Sequence, residues 1–103
     1  MLVWTIYDIS DDRIRSRVAK ICKNYGLFRV QKSAFLGELN RNESDSLVLE
    51  CEAIVEEADS VYVFPMCEDC FGKIKLIGAG FDRELVSGMT ITKIFLGENG
   101  DRV

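Results

Sequence analysis

A chain of 103 residues, 48% of them hydrophobic and 29% charged, has room for one packed core, not two, and is too apolar to stay disordered. A formal charge of −4 excludes a protein that is cationic over its whole surface, and no apolar run approaches a membrane span. There is no histidine, so a mechanism built on paired imidazoles is excluded.

Leu2, Val3, Trp4, Ile6 and Tyr7 are strand formers with almost no polar interruption, the pattern of a central strand buried on both faces. The chain opens directly into this strand, without a basic leader or small-residue cleavage site, which predicts a cytoplasmic protein with no membrane partner. Asp8 breaks the apolar run. An ionised carboxylate at the end of a buried strand is costly unless it meets solvent, a cation or strong donors. Asp8 therefore either turns the chain into the next helix or is a functional acid.

Ser10 or Asp11 can cap a helix, and Asp11 and Asp12 sit where the helix dipole favours acids. Ile14, Val18, Ile21, Cys22 and Tyr25 recur as one helical apolar stripe, and Gly26 supplies the stop. Arg13, Arg17, Lys20 and Lys23 share a flank away from the stripe, while Arg15 projects from the other side near the helix start. From Arg13 to Lys32 seven basic residues (Arg13, Arg15, Arg17, Lys20, Lys23, Arg29, Lys32) occur without an acid, leaving six to offset all 17 acids elsewhere. Such a segment is either a solvated basic face or a local cationic surface for a polyanion.

From Leu27 to Leu39, Phe28 and Val30 keep one strand parity whereas Phe35 and Leu39 keep the other, so a bulge or tight turn is expected around Gln31 to Ser33. After the polar break Asn40-Arg-Asn-Glu-Ser44, Asn42 with Asp45 is the expected start of a second helix. Leu47, Cys51, Ile54, Val55 and Ala58 would face inward, and Glu43, Asp45, Glu50, Glu52, Glu56 and Glu57 outward. Ser60–Phe64 reads as a strand closed by Pro65, Lys73–Ile77 as another, and Thr90–Leu96 as a last strand. Gly78-Ala-Gly80 opens a loop.

Cys22 and Cys51 lie on the apolar stripes and read as small core residues. Cys67-Glu-Asp-Cys70 has the spacing of half a zinc knuckle or of a redox pair; a closed zinc site needs two further ligands, so an intersubunit metal, a disulfide and a plain loop all stay open.

The element order predicts an α+β fold: a ferredoxin-like βαββαβ sandwich with an additional C-terminal strand, the interior first strand lying against the strand after the second helix. Residues 1–96 form the single domain and 97–103 a polar tail. The surplus strand needs a partner, and the sheet edge of a second subunit supplies one, so the chain is expected to be homodimeric.

Tyr7-Asp8-Ile9-Ser10-Asp11, the helix residues Arg15, Arg17 and Val18, the stretch Arg29-Val-Gln-Lys-Ser-Ala-Phe35 followed by Gly37, and Val61-Tyr-Val-Phe-Pro65 together resemble the small CRISPR-associated nucleases of the Cas-two type. The resemblance implies a ferredoxin-like homodimer and a metal-dependent endonuclease acting on RNA or DNA. It also implies a role in spacer acquisition beside the Cas-one integrase, or, as the alternative, a non-catalytic scaffold of that complex. It carries over Asp8 as the catalytic acid and metal ligand, meeting its twin across a two-fold axis, and Arg15, Arg17, Arg29 and Phe35 as residues of activity or substrate contact. Ser10 and Ser33 fall in the same motifs, whereas the Cys67/Cys70 loop departs from the pattern.

Two carboxylates brought together repel unless a cation sits between them. Mg²⁺ (or Mn²⁺) fits, since it binds through one or two carboxylates and keeps several waters. Arg15 and Arg17 suit phosphate oxygens, and Lys20, Lys23, Arg29 and Lys32 would follow the nucleic-acid backbone without reading sequence. Phe35 fits a core or dimer interface better than a base-stacking platform.

Overall fold

The computed structural model describes residues 1–86. Four strands form one antiparallel sheet: β1 (Leu2–Asp8), β2 (Phe28–Gln31), β3 (Ala34–Glu38) and β4 (Ser60–Met66), in the order β2-β3-β1-β4. Helices α1 (Asp12–Asn24) and α2 (Arg41–Glu52) connect them, and a short α3 (Glu68–Phe71) follows β4. The fold is ferredoxin-like, with β1 interior and paired to β4, as its uninterrupted apolar pattern requires.

Strand alternation divides the residues of β1 between two cores. Val3 and Tyr7 join Val18, Ala19, Cys22, Phe35, Leu39, Leu47 and Cys51 beneath α1 and α2. Leu2 and Trp4 point the other way, into a second cluster with Val30, Ala34, Leu36, Phe71 and Val86. The chain after β4 crosses this second face: Phe71 packs 6.3 Å from Trp4, Ile74 and Leu76 lean on the cluster, and Asp82 N–H reaches Val30 O at 2.7 Å. The alternation in Lys73–Ile77 therefore marks contact with a sheet face; contrary to the sequence-based expectation this segment is not a strand.

Three boundaries also differ. The cap of α2 is Asn40, in a reciprocal capping box with Glu43, since Asn40 is the residue with extended backbone and an acid three positions on. This helix ends at Glu52, so Ile54 and Val55 pack from the turn beyond it and Ala58 is exposed. Strand β4 runs through Pro65 to Met66, which an edge strand tolerates because Pro65 needs no ladder donor on its open side. The predicted break between β2 and β3 is present as a register shift between Arg29 and Gln31. Thr90–Leu96 and the 97–103 tail lie outside the described residues.

Candidate nucleic-acid and metal site

The C-terminal end of β1 delivers three acids within five residues, and their surroundings separate them. Asp11 is the N-cap of α1; its carboxylate accepts from the N–H of Arg13 at 2.8 Å and of Ile14 at 3.0 Å. The Ile14 N–H is the main reason that its carboxyl lies below the usual carboxylate range. Asp12 is ion-paired to Arg15. Asp8 is exposed, pairs with Ser60 only through the strand ladder, and makes no side-chain hydrogen bond or ion pair among the described residues. Its parity places it on the sheet face of Leu2, Trp4 and Ile6, opposite the two long helices. Of the three acids, Asp8 alone keeps its carboxylate available.

Arg15 faces the same loop from the helix. Its guanidinium donates to Ile9 O at 3.0 Å and Ser10 O at 3.3 Å, tying the chain after Asp8 to the first turn of α1. Arg29, on β2, lies over the buried Phe35 ring at 5.0 Å and donates to the Tyr7 hydroxyl at 3.3 Å. Phe35, with no exposed surface, is thus a core residue and the platform for a cation; it is not open to a nucleobase. Arg15, Ser16, Arg29 and Lys32 line one recess of about 370 Å³. Three cations and a hydroxyl around one opening suit a phosphate group.

Arg17 and Lys20 are exposed but do not line this recess. By helical spacing Arg17 lies on the flank nearer α2, where Tyr25 donates its hydroxyl to Glu50. The sequence-predicted basic set is thereby split, with Arg15 and Arg29 brought together and Arg17 and Lys20 set apart. Lys32, expected as a backbone contact, joins the recess, and so does Ser16, for which no role was expected. The uninterrupted basic run was the signal for Lys32, whereas nothing in the sequence marked Ser16, which lies on α1 beside Arg15.

Among the described residues one unengaged carboxylate, that of Asp8, stands at this end, and no three acids or thiols converge on a point. The donor type fits Mg²⁺ or Mn²⁺, whose coordination is largely completed by water and phosphate. Among the described residues no helix is long and apolar enough to cross a membrane.

The family model for CRISPR-associated protein Cas2 matches residues 1–74, which span the whole sheet, both long helices and every residue just placed. The chain belongs to the Cas2 family. The CRISPR-associated endoribonuclease Cas2 1 of Archaeoglobus fulgidus is 44% identical over 71 residues, covering 68% of this chain and 76% of the relative. The CRISPR-associated endoribonuclease Cas2 of Korarchaeum cryptofilum is 40% identical over 83 residues, covering 76% and 85%. In fold, the chain is similar to the crystal structure of Cas2 from Streptococcus pyogenes (TM-score 0.64, 25% identity, 76% of this chain and 100% of that one). It is equally similar to a hypothetical protein of Thermus thermophilus (TM-score 0.64, 29% identity, 77% and 92%). The ferredoxin-like sheet of this chain is thus that of Cas2 structures.

Proposed function

We propose that this chain is a metal-dependent endonuclease of CRISPR adaptation, hydrolysing phosphodiester bonds of RNA or DNA as a homodimer in which two Asp8 carboxylates share one Mg²⁺ or Mn²⁺. The observation that carries the reading is the single unengaged carboxylate at the end of a buried strand, on a loop clamped by an arginine that also lines a cationic recess. The Archaeoglobus and Korarchaeum relatives are named endoribonucleases, which favours RNA among the substrates.

Bound there, the ion would supply a water of lowered pKa and a polarised phosphoryl oxygen. The protein's own groups have separate tasks. Asp8 offers the oxygen ligand and balances the ion's charge. Arg15 fixes the loop that aims Asp8, and with Arg29 and Lys32 holds a phosphate neighbouring the scissile one. Arg29 reaches its position already stacked and hydrogen-bonded, so little side-chain entropy is lost when a phosphate arrives. Arg17 and Lys20 follow the backbone further along, adding affinity that weakens with salt.

The test compares purified protein with Asp8→Asn on single-stranded RNA and on duplex DNA, with Mg²⁺ and with chelator. Cleavage that needs the metal and disappears in Asp8→Asn supports the proposal, while equal activity of the two proteins rejects it.

A second reading, a scaffold that joins the Cas-one integrase without cutting, has its own observation. Among the described residues the outer edge of β4 has no neighbouring strand, and it carries Tyr62 and Phe64, exposed beside a groove of about 500 Å³ formed with Val48, Cys51 and Val55 of the α2 side. An open apolar edge is suited to adding a strand from another chain. On this reading spacer acquisition survives Asp8→Asn and is lost when the sequence Thr90–Leu96, expected as a further strand, is replaced; the reverse pattern dismisses it.

A further inference from the structure

The Cys67-Glu-Asp-Cys70 motif plays no part in the proposed site, and the structure gives it a defined geometry. Cys67 directly follows β4 and is the N-cap of α3, its Sγ accepting the Cys70 N–H at 3.3 Å. Both thiols are free and exposed, and they face each other across a single turn. Among the described residues no third acid or thiol joins them to make a closed metal site. Phe71, the next residue, is the plug of the second core against Trp4, and Trp4 in turn donates its indole N–H to the sulfur of Met66 at 2.9 Å. The two cysteines therefore sit at the hinge where the chain leaves the sheet edge and begins to cross the sheet face.

We propose that Cys67 and Cys70 are a reactive dithiol that closes reversibly to an intrachain disulfide by exchange with a low-molecular-weight disulfide. Cys67 thiolate attacks one sulfur of the small disulfide; that S–S bond breaks and one small thiolate leaves. Cys70 then loses its proton and attacks the Cys67 sulfur, releasing the second small thiolate. Two protein thiols are oxidised and one small disulfide is reduced to two thiols.

The geometry divides the roles. The Cys70 N–H and thiol donate to Cys67, which lowers the Cys67 pKa and raises that of Cys70, so the first is the attacking sulfur and the second the resolving one. The chain carries its own control in its other two cysteines. Cys22 and Cys51 are buried, and burial pushes their thiols up to about 12 and about 11, which leaves them unreactive at neutral pH.

The closed bridge would hold the α3 turn, whose Phe71 and Gly72 N–H groups bond to the Cys67 and Glu68 carbonyls, and so keep Phe71 in its seat. The experiment incubates the full chain with glutathione disulfide, quenches with an alkylating reagent in denaturant so that the buried thiols are also labelled, and reads intact mass, beside Cys67→Ser and Cys70→Ser. The wild type is expected to lose two of its four alkylatable thiols with no glutathione retained, and to regain both with reduced glutathione. Cys70→Ser should stop at a stable glutathione adduct on Cys67, and Cys67→Ser should react far more slowly. Amide exchange at Phe71 and Gly72 should slow in the oxidised form. Persistent glutathione adducts on the wild type, bridges only between chains, equal reaction of Cys22 and Cys51, or a tightly held metal ion that blocks both thiols would each overturn the assignment.

Discussion

Replacing Arg29 separates two contributions that meet in one side chain. Arg29→Gln removes a cation from the recess of Arg15, Ser16 and Lys32, and with it the stack on Phe35 at 5.0 Å and the bond to Tyr7 at 3.3 Å. One lost phosphate contact lowers the slope of log affinity against log salt by about 0.7 for a single strand and about 0.9 for a duplex. At about 0.1 M salt that is roughly five- to eightfold weaker binding. The stack at an exposed site is worth about 0.5–1 kcal/mol, and the long hydrogen bond adds little, so the fold should lose about 1 kcal/mol. In a domain of this size that lowers Tm by about 4–8 °C. Arg29→Lys keeps the charge and loses the planar stack, so it should retain the wild-type salt slope while losing part of the stability. The assay is anisotropy of a labelled oligonucleotide over a salt series, with Arg41→Gln, at the start of α2, as a control that leaves the slope unchanged. If Arg29→Gln keeps the wild-type slope, the recess does not hold a phosphate, whatever happens to the affinity itself.

Other substitutions test the frame around the site. Phe71→Ala should cost about 3–5 kcal/mol in urea unfolding, because a side chain 2% exposed leaves a cavity against Trp4; a cost below about 1 kcal/mol would mean that the chain after β4 is not seated on the sheet. Gly37→Ala would place a Cβ 2.8 Å from Leu27 Cδ2 and 3.1 Å from Leu27 Cα, and a backbone neighbour cannot turn aside. A loss of about 1–3 kcal/mol is expected, and a neutral result would contradict that packing. Asp11 has a folded pKa below its ordinary 3.8, so the stability it contributes is present above about pH 4 and is lost as pH falls through the folded value. The stability difference between wild type and Asp11→Asn should therefore shrink in acid; a difference independent of pH would show that the Asp11 charge is not what caps α1.

What the sequence made legible was what a short window contains. The two-sided burial of β1, a cap of α1 at Ser10 or Asp11, the apolar stripe of α1 and the slip between β2 and β3 are all set by neighbours within a turn or a pleat, and each is found, the cap being Asp11. The misses have a longer range. Ile74 and Leu76 alternate as strand residues do, yet what they alternate against is a sheet face assembled from β1 and β3, which no local pattern contains. Likewise seven basic residues in one segment look alike in sequence. Their division into a recess and an outer flank depends on where β2 passes α1, a tertiary fact. Asp8 was singled out because it interrupts an apolar run, but its freedom became visible only when Asp11 and Asp12 were seen to be engaged.

The distribution of charge then decides which flank of α1 a polyanion meets. Helix α2 carries Glu43, Asp45, Glu50 and Glu52 and no basic residue in its last turn, and it packs beside the flank of Ile14, Ile21 and Tyr25. A backbone phosphate approaching on that side is repelled by α2 over a distance comparable to the screening length of about 8–10 Å. On the opposite flank the same helix faces β2, and there Arg15, Arg29 and Lys32 stand together. A chain that is acidic in total thus presents a directional cationic surface, and the loop that closes this surface is the one that begins at Asp8. Arg15 links that recess to the loop: it lines the recess, its Nη1 holds Ile9 and Ser10, and its Nη2 pairs with Asp12. On the proposed function, a phosphate in the recess would meet a guanidinium that already holds the two residues following Asp8.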